Sequence, residues 1–179
     1  MPRLSTDYIV VHCTASGDRD ITVEDVRRDH KAQGWSDIGY HWFIDRAGKL
    51  HQGRKPENSV GSHVKGFNNR SIGISLAGGK EVSPGKWKAN FTETQMATLA
   101  SALKDIQGRY PNAKILGHRD LSPDKDHDGV IEPHEFIKDC PCFNAREFAI
   151  AHGLKAAPIG EALVKVVADA MPFPEATVA

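Results

Sequence analysis

The stretch DYIVVHC, residues 7–13, constrains the fold more than any other. It is a compact apolar run rich in β-branched side chains, which reads as a strand buried on both faces. SIGISLAGG (71–79) is a second buried strand ending in glycines, and NAKILGH (112–118) a third. YHWFIDRAGKLHQGR supplies two more, 40–45 and 49–54, joined by a turn through Ala47-Gly48. Helices fall between them. Thr22 as N-cap, Asp25 at the capping-box position and Gly34 as a stop predict one helix. A second spans 93–109, with Thr92 and Gln95 as a capping box and Met96, Leu99, Leu103 and Ile106 at spacings of three and four. A third covers 144–153, capped by Asn144, Glu147 and Gly153. Strands alternating with helices predict an α/β fold, a mixed central β-sheet flanked by helices in a single domain over 1–153. Residues 154–179 read as an extension with one short amphipathic helix, 161–171.

A chain of 179 residues with 40% hydrophobic and 26% charged side chains suits one globular domain. Lys+Arg and Asp+Glu both number 23, and this balance excludes the basic surplus of a nucleic-acid binder. No stretch approaches the ~18 apolar residues of a membrane span, so stable membrane insertion is not expected. MPRLSTDYIVVHCTA lacks the cleavage pattern of a Sec signal, which predicts synthesis in the cytoplasm. Three cysteines make no disulfide framework, and a monomer is expected.

The chemistry gathers at strand ends. His12 closes the first strand, His118 closes a later one, and Cys140 follows shortly after. Ligands of open α/β sheets bind at that edge, where departing loops diverge. Two imidazoles and one thiolate, with a fourth corner left to water, make a catalytic zinc set. Spacing alone leaves either histidine readable as a hydrogen-bonded strand-end residue. Strand alternation turns Cys13 away from His12, as a small buried thiol. Cys142 reads either as a fourth ligand or, in preference, as a thiol packed beside Phe143.

DKDHDGVIEPHE, residues 124–135, fits the twelve-residue calcium loop. Asp124, Asp126 and Asp128 take positions 1, 3 and 5, Gly129 position 6, the Val130 carbonyl position 7 and Glu135 position 12. The flanks are not those of an EF-hand, since Pro123 directly precedes the loop and GHRDLSP is no helix. Two readings stand: a structural Ca2+ site folding the excursion between His118 and Cys140, or a solvated, metal-free acidic insertion.

VVHCTAS, GWSDIGYHWFIDRAGKLHQGR, VGSHVKGFNNRSIGISLAGG, KANFTETQMATL, LGHRDLSP and KDCPCF follow one another in order. Together, over about residues 6–150, they resemble the zinc-dependent N-acetylmuramoyl-L-alanine amidases, which include phage lysozymes and peptidoglycan recognition proteins. The likeness is greatest to phage-type endolysins. It implies zinc on His12, His118 and Cys140, and catalytic roles for Tyr40 and Lys138. Without it, Tyr40 is an ordinary strand aromatic and Lys138 a solvated lysine. His63 and the Asn68-Asn69-Arg70 turn would line the substrate groove, and Trp42 is expected to share a face with Tyr40. The implied substrate is peptidoglycan, reached after membrane permeabilisation or lysis. Peptidoglycan binding without cleavage, a thiol hydrolase using Cys140 or Cys13, and a calcium-dependent interaction protein are the competing functions.

Overall fold

The computed structural model describes residues 1–84 and 86–158. Five strands form one mixed sheet: β1 (Tyr8–Cys13), β2 (Trp42–Ile44), β3 (Leu50–Gln52), β4 (Ser71–Leu76) and β7 (Lys114–Gly117). Their order is β3-β2-β4-β1-β7, with β1 parallel to β4 and β7, β2 parallel to β4, and β3 antiparallel to β2. Every residue of β1 and β4 is buried, as continuous apolar runs require in a sheet covered on both faces.

Helices α2 (Glu93–Arg109) and α3 (Ala145–Ala151) cover one face, where Leu99, Leu103, Ile106 and Ala149 pack on Ile9, Val11, Ile74 and Ile115. The other face packs Tyr8, Val10 and Leu116 against Val64 and Phe67, and Phe43 against Val26 of α1 (Val23–Ala32). Alternation along β1 therefore sends the side chain of His12 to this second face. Both expected capping boxes form: Thr22 Oγ1 accepts from Asp25 N at 3.1 Å, and Thr92 Oγ1 accepts from Gln95 N at 3.1 Å. Gln95 also donates from Nε2 to Ala77 O at 2.8 Å, pinning the start of α2 to the end of β4.

Four features depart from the sequence reading. Strand β2 begins at Trp42, not Tyr40, although Arg54 N still donates to Tyr40 O at 2.8 Å. Because Tyr40 precedes the regular pleat, it packs with the α1-side cluster while Trp42 packs with the opposite one, so the two do not share a face. A hairpin of β5 (Lys80–Ser83) and β6 (Lys86–Lys88) was not anticipated, because its charged, solvated residues carry no apolar alternation. Packing also continues past Gly153: Ala157 N donates to Ile115 O at 2.9 Å, and Lys155 N to Gln107 Oε1 at 2.9 Å. The packed fold thus extends at least to Pro158, while the helix expected over 161–171 lies outside the described residues. Among the described residues, no helix is long and apolar enough to cross a membrane.

His41 is completely buried; Nδ1 accepts from Gly73 N at 3.0 Å and Nε2 donates to Ser59 O at 2.9 Å, which fixes a neutral tautomer. Burial lowers its pKa to about 4. A folded-state value below the unfolded ~6.5 means that the unfolded chain takes up the proton first. Stability is then full above about pH 6.5 and falls towards pH 4, by at most about 3 kcal/mol from this one group. Thermal unfolding between pH 7 and 4.5 should show this loss, and His41→Gln should shrink it. An unchanged pH slope in the variant would exclude His41 as a source.

Candidate active site

The parallel register of β1 and β7 pairs Val11 with Gly117, so the next residues, His12 and His118, emerge side by side at one sheet edge. Their ring centroids lie 4.8 Å apart. Cys140 is brought there by the returning chain, which Arg119 holds: its backbone N donates to Cys140 O at 2.8 Å and Nη1 to Asp139 Oδ1 at 2.9 Å. Its guanidinium also lies 5.2 Å from the Phe136 ring centroid. Ligand atoms of His12, His118 and Cys140 all fall within 4.8 Å of one another, with His12 Nδ1 3.9 Å from Cys140 Sγ. Tetrahedral zinc, with Zn–S of ~2.3 Å and Zn–N of ~2.0–2.1 Å, places N and S about 3.6 Å apart. The three residues fit the ion. Burial, with Lys138 next, lowers His118 to about 4, and burial holds His12 well below the ordinary range, so both imidazoles are neutral and able to ligate. Hydrogen bonding with Cys13 and burial push the Cys140 thiol up.

His63 lies in the groove lining, as expected, and also packs behind His12. Its ring is buried and Nδ1 lies 3.0 Å from His12 Nε2, while Nε2 lies 3.3 Å from Ser71 Oγ. With His12 Nδ1 turned to Cys140, Nε2–H donates to His63, His63 Nε2–H donates to Ser71, and Ser71 donates to Phe67 O at 2.7 Å. Both ring nitrogens therefore have partners within the fold, while His63 also forms part of the groove lining. A Cβ at position 73 would lie 2.7 Å from His63 Cγ, which is why β4 carries glycine there. Asn68 supports the same loop: Oδ1 accepts from His63 N at 2.8 Å and Val64 N at 2.9 Å. Arg70 is occupied by Asp7, so the Asn68-Asn69-Arg70 turn does not reach the groove. His63→Ala should weaken zinc binding ~10–100-fold with the fold retained, as measured by competition with a chromophoric chelator. Unaltered affinity would contradict the relay.

A groove of about 1120 Å³ opens above this centre, lined by His30, Trp35, Tyr40, His118, Lys138 and Cys140 among others. The Tyr40 ring centroid lies 5.1 Å from that of His12, and burial, followed by Cys140 and Cys13, raises its hydroxyl pKa. The phenol therefore stays protonated and is a donor at neutral pH. Lys138 is exposed at the groove, and its charge bears on both His12 and His118. Sequence reading missed His30, whose Nδ1 accepts from Gly39 N at 3.0 Å and whose ring lies 5.4 Å from that of Tyr40. It also missed Val82 and Trp87 of the hairpin, which form part of the groove lining.

In the acidic loop, Asp124 accepts from His127 N at 2.7 Å and Gly129 N at 2.9 Å. Glu135 is fully buried and accepts from Lys125 N and Glu132 N, which lower its pKa to about 2. Carboxylate oxygens of Asp124, Asp126 and Asp128 converge within 4.8 Å, and Asp126 also lies within that range of Glu132, His134 and Glu135. Gly129 takes φ +91, the conformation that position 6 demands.

Comparison with known proteins agrees with this geometry. Residues 2–134 match the N-acetylmuramoyl-L-alanine amidase family. The endolysin of Escherichia phage T7 is 40% identical over 147 residues, 82% of this chain and 87% of the relative, and that of Enterobacteria phage K11 is 39% identical over the same extents. Among solved structures, the N-acetylmuramoyl-L-alanine amidase LysC from Clostridium intestinale URNW superposes with a TM-score of 0.64 at 29% identity, covering 84% of this chain and 87% of that one. A point mutant of the Drosophila recognition protein PGRP-LB, solved in complex with tracheal cytotoxin, shares the fold with a TM-score of 0.59 at 21% identity, covering 79% of this chain and 78% of that one. The chain belongs to the N-acetylmuramoyl-L-alanine amidase family, among the phage endolysins.

Proposed function

We propose that this protein is a zinc-dependent endolysin hydrolysing the amide between the lactyl carbonyl of N-acetylmuramic acid and L-alanine in peptidoglycan. The observation that carries zinc dependence is the convergence of two neutral imidazoles and one thiol beside the groove, which His118 and Cys140 line. His12, His118 and Cys140 would hold the ion, and a bound zinc supplies Lewis-acid polarisation of the scissile carbonyl and a lowered pKa for water. His63 keeps His12 in the ligating tautomer. Tyr40 Oη–H orients the attacking water by hydrogen bonding and helps carry its proton to the departing L-alanine nitrogen. Lys138 Nζ, at the groove and two residues before Cys140, donates to the oxygen on which negative charge develops. A thiol nucleophile at Cys140 is disfavoured, because its sulfur is buried and already accepts from Cys13 N at 3.3 Å.

Purified peptidoglycan incubated with the zinc-loaded protein should yield new lactyl carboxylates and new L-alanine amino termini. Chelation should stop both, and added zinc should restore both. Cleavage that survives complete zinc removal, or new ends elsewhere in the polymer, would refute this reading. Access to the wall after membrane permeabilisation belongs to the same proposal. Cells accumulating the protein should stay intact until their membrane is opened.

Structural calcium in loop 124–135 is part of this reading, supported by the six-position sequence match and the sharing of Asp126 between the two acidic groups. Calcium added to the calcium-free, zinc-loaded protein should raise its melting temperature, and Asp124→Asn with Asp126→Asn should remove the increment. Equal melting of parent and variant across millimolar calcium would leave the loop a metal-free insertion.

A further inference from the structure

We propose that Cys13 and Cys142 form a dithiol beside the metal centre, which a disulfide oxidant converts to a cystine that clamps the Cys140 segment onto β1. Cys13 follows His12 on β1, and Cys142 lies two residues beyond Cys140. Their Sγ atoms are 3.6 Å apart, in non-bonded contact, whereas a disulfide is ~2.05 Å, so closure needs only about 1.5 Å of combined movement. Both thiols are free and line the groove; Cys13 is buried, and the half-buried Cys142 is the one that meets an external oxidant first.

Gly79 makes room for this pair. A Cβ there would lie 2.8 Å from Cys13 Sγ and 3.2 Å from Cys142 Sγ, and φ is +81. The third sulfur also lies against Cys13, but it accepts from Cys13 N and faces His12 Nδ1 at 3.9 Å, on the side of the metal cluster. In the zinc-loaded protein Cys140 is committed to the ion, which leaves Cys13 and Cys142 as the pair able to react. Alternation along the strand marks Cys13 as a small buried thiol, as it is, and the fold sets its Sγ against that of Cys142.

The reaction is ordinary thiol–disulfide exchange with a low-molecular-weight disulfide such as glutathione disulfide. One protein thiolate attacks the external disulfide, forming a mixed disulfide and releasing one glutathione thiolate. The second protein thiolate attacks the mixed disulfide, forming the Cys13–Cys142 bond and releasing the second. The two protons lost by the protein thiols end on the two glutathiones, which also receive the two electrons. A reducing compartment keeps the pair open and an oxidising one closes it. The bond would join residues 129 apart in sequence, constraining the unfolded chain and tethering the loop that carries a zinc ligand. Its formation does not depend on the amidase reading, because the readouts below involve no substrate.

The test treats the zinc-loaded full chain with glutathione disulfide, removes excess oxidant, and then alkylates under denaturing, chelating conditions. One free thiol should remain, at Cys140, and tandem mass spectra of the proteolytic digest should place a link between Cys13 and Cys142. The oxidised protein should release zinc to a chelator several-fold more slowly and melt several degrees higher than the reduced one. Cys142→Ser should show neither change. Glutathione adducts on Cys142 with Cys13 still free, or a link that includes Cys140 with zinc lost, would overturn the pairing. A Cys13–Cys142 link that leaves zinc release and melting unchanged would overturn the clamp.

Discussion

Cys140→Ala should lose its zinc and, with it, wall digestion, by about 10³-fold or more, since Lewis-acid stabilisation is worth several kcal/mol. Two imidazoles remain in the variant, but neither supplies the negative charge that the thiolate brings to a divalent cation. The change is small and local: Cys140 ends a segment that Arg119 continues to hold through Asp139 and the Cys140 carbonyl. The fold should therefore survive, and circular dichroism should match the parent. Zinc content by atomic absorption and release of lactyl carboxylates are the two readings. Both should fall together. Parallel Cys13→Ala should keep its zinc, because Cys13 is not among the converging ligand atoms and its backbone N, which donates to Cys140 Sγ, is retained. A Cys140→Ala protein that binds zinc at parental affinity would remove the thiolate from the account.

Tyr40→Phe should lower kcat by ~10²–10³, the typical loss on removing one positioned donor from a transition state. The ring, which packs in the α1-side cluster and lies 5.1 Å from His12, is retained, so stability and zinc affinity should not change. KM should also stay near the parental value, because the hydroxyl acts on atoms that change charge during the reaction. A kcat within a few-fold of the parent would return Tyr40 to an ordinary packed aromatic. The raised pKa of its hydroxyl makes the phenol a donor over the working range, so its contribution should not titrate near neutrality.

The central strands, the capped helices and the His12-His118-Cys140 cluster were legible in the sequence for different reasons. β1 and β4 are buried on both faces, so their residues must be apolar throughout, and no other local structure explains such runs. Thr22 and Thr92 carry local hydrogen-bond signals that survive any tertiary context. His12 and His118 stand at strand ends, where a parallel sheet gathers its ligands, and Cys140 is close behind in the chain. The three clustered residues could be listed from the sequence, but not the side chains packed behind them. His63 resembles any solvated loop histidine until the register shows Gly73 beneath its ring and His12 against its Nδ1. His30 lies in the last turn of a surface helix, where a basic residue has a sufficient local explanation. The hairpin over 80–88 hides behind lysines, and the Cys13–Cys142 contact joins residues 129 apart. No local pattern reports either one.

X-ray absorption at the zinc edge of the active protein tests the central claim most directly. The account predicts about one zinc per chain, with one sulfur at ~2.3 Å and two imidazole nitrogens at ~2.0–2.1 Å. The sulfur shell should vanish in Cys140→Ala. A fully active protein without zinc, or a zinc shell of nitrogen and oxygen alone, would contradict it.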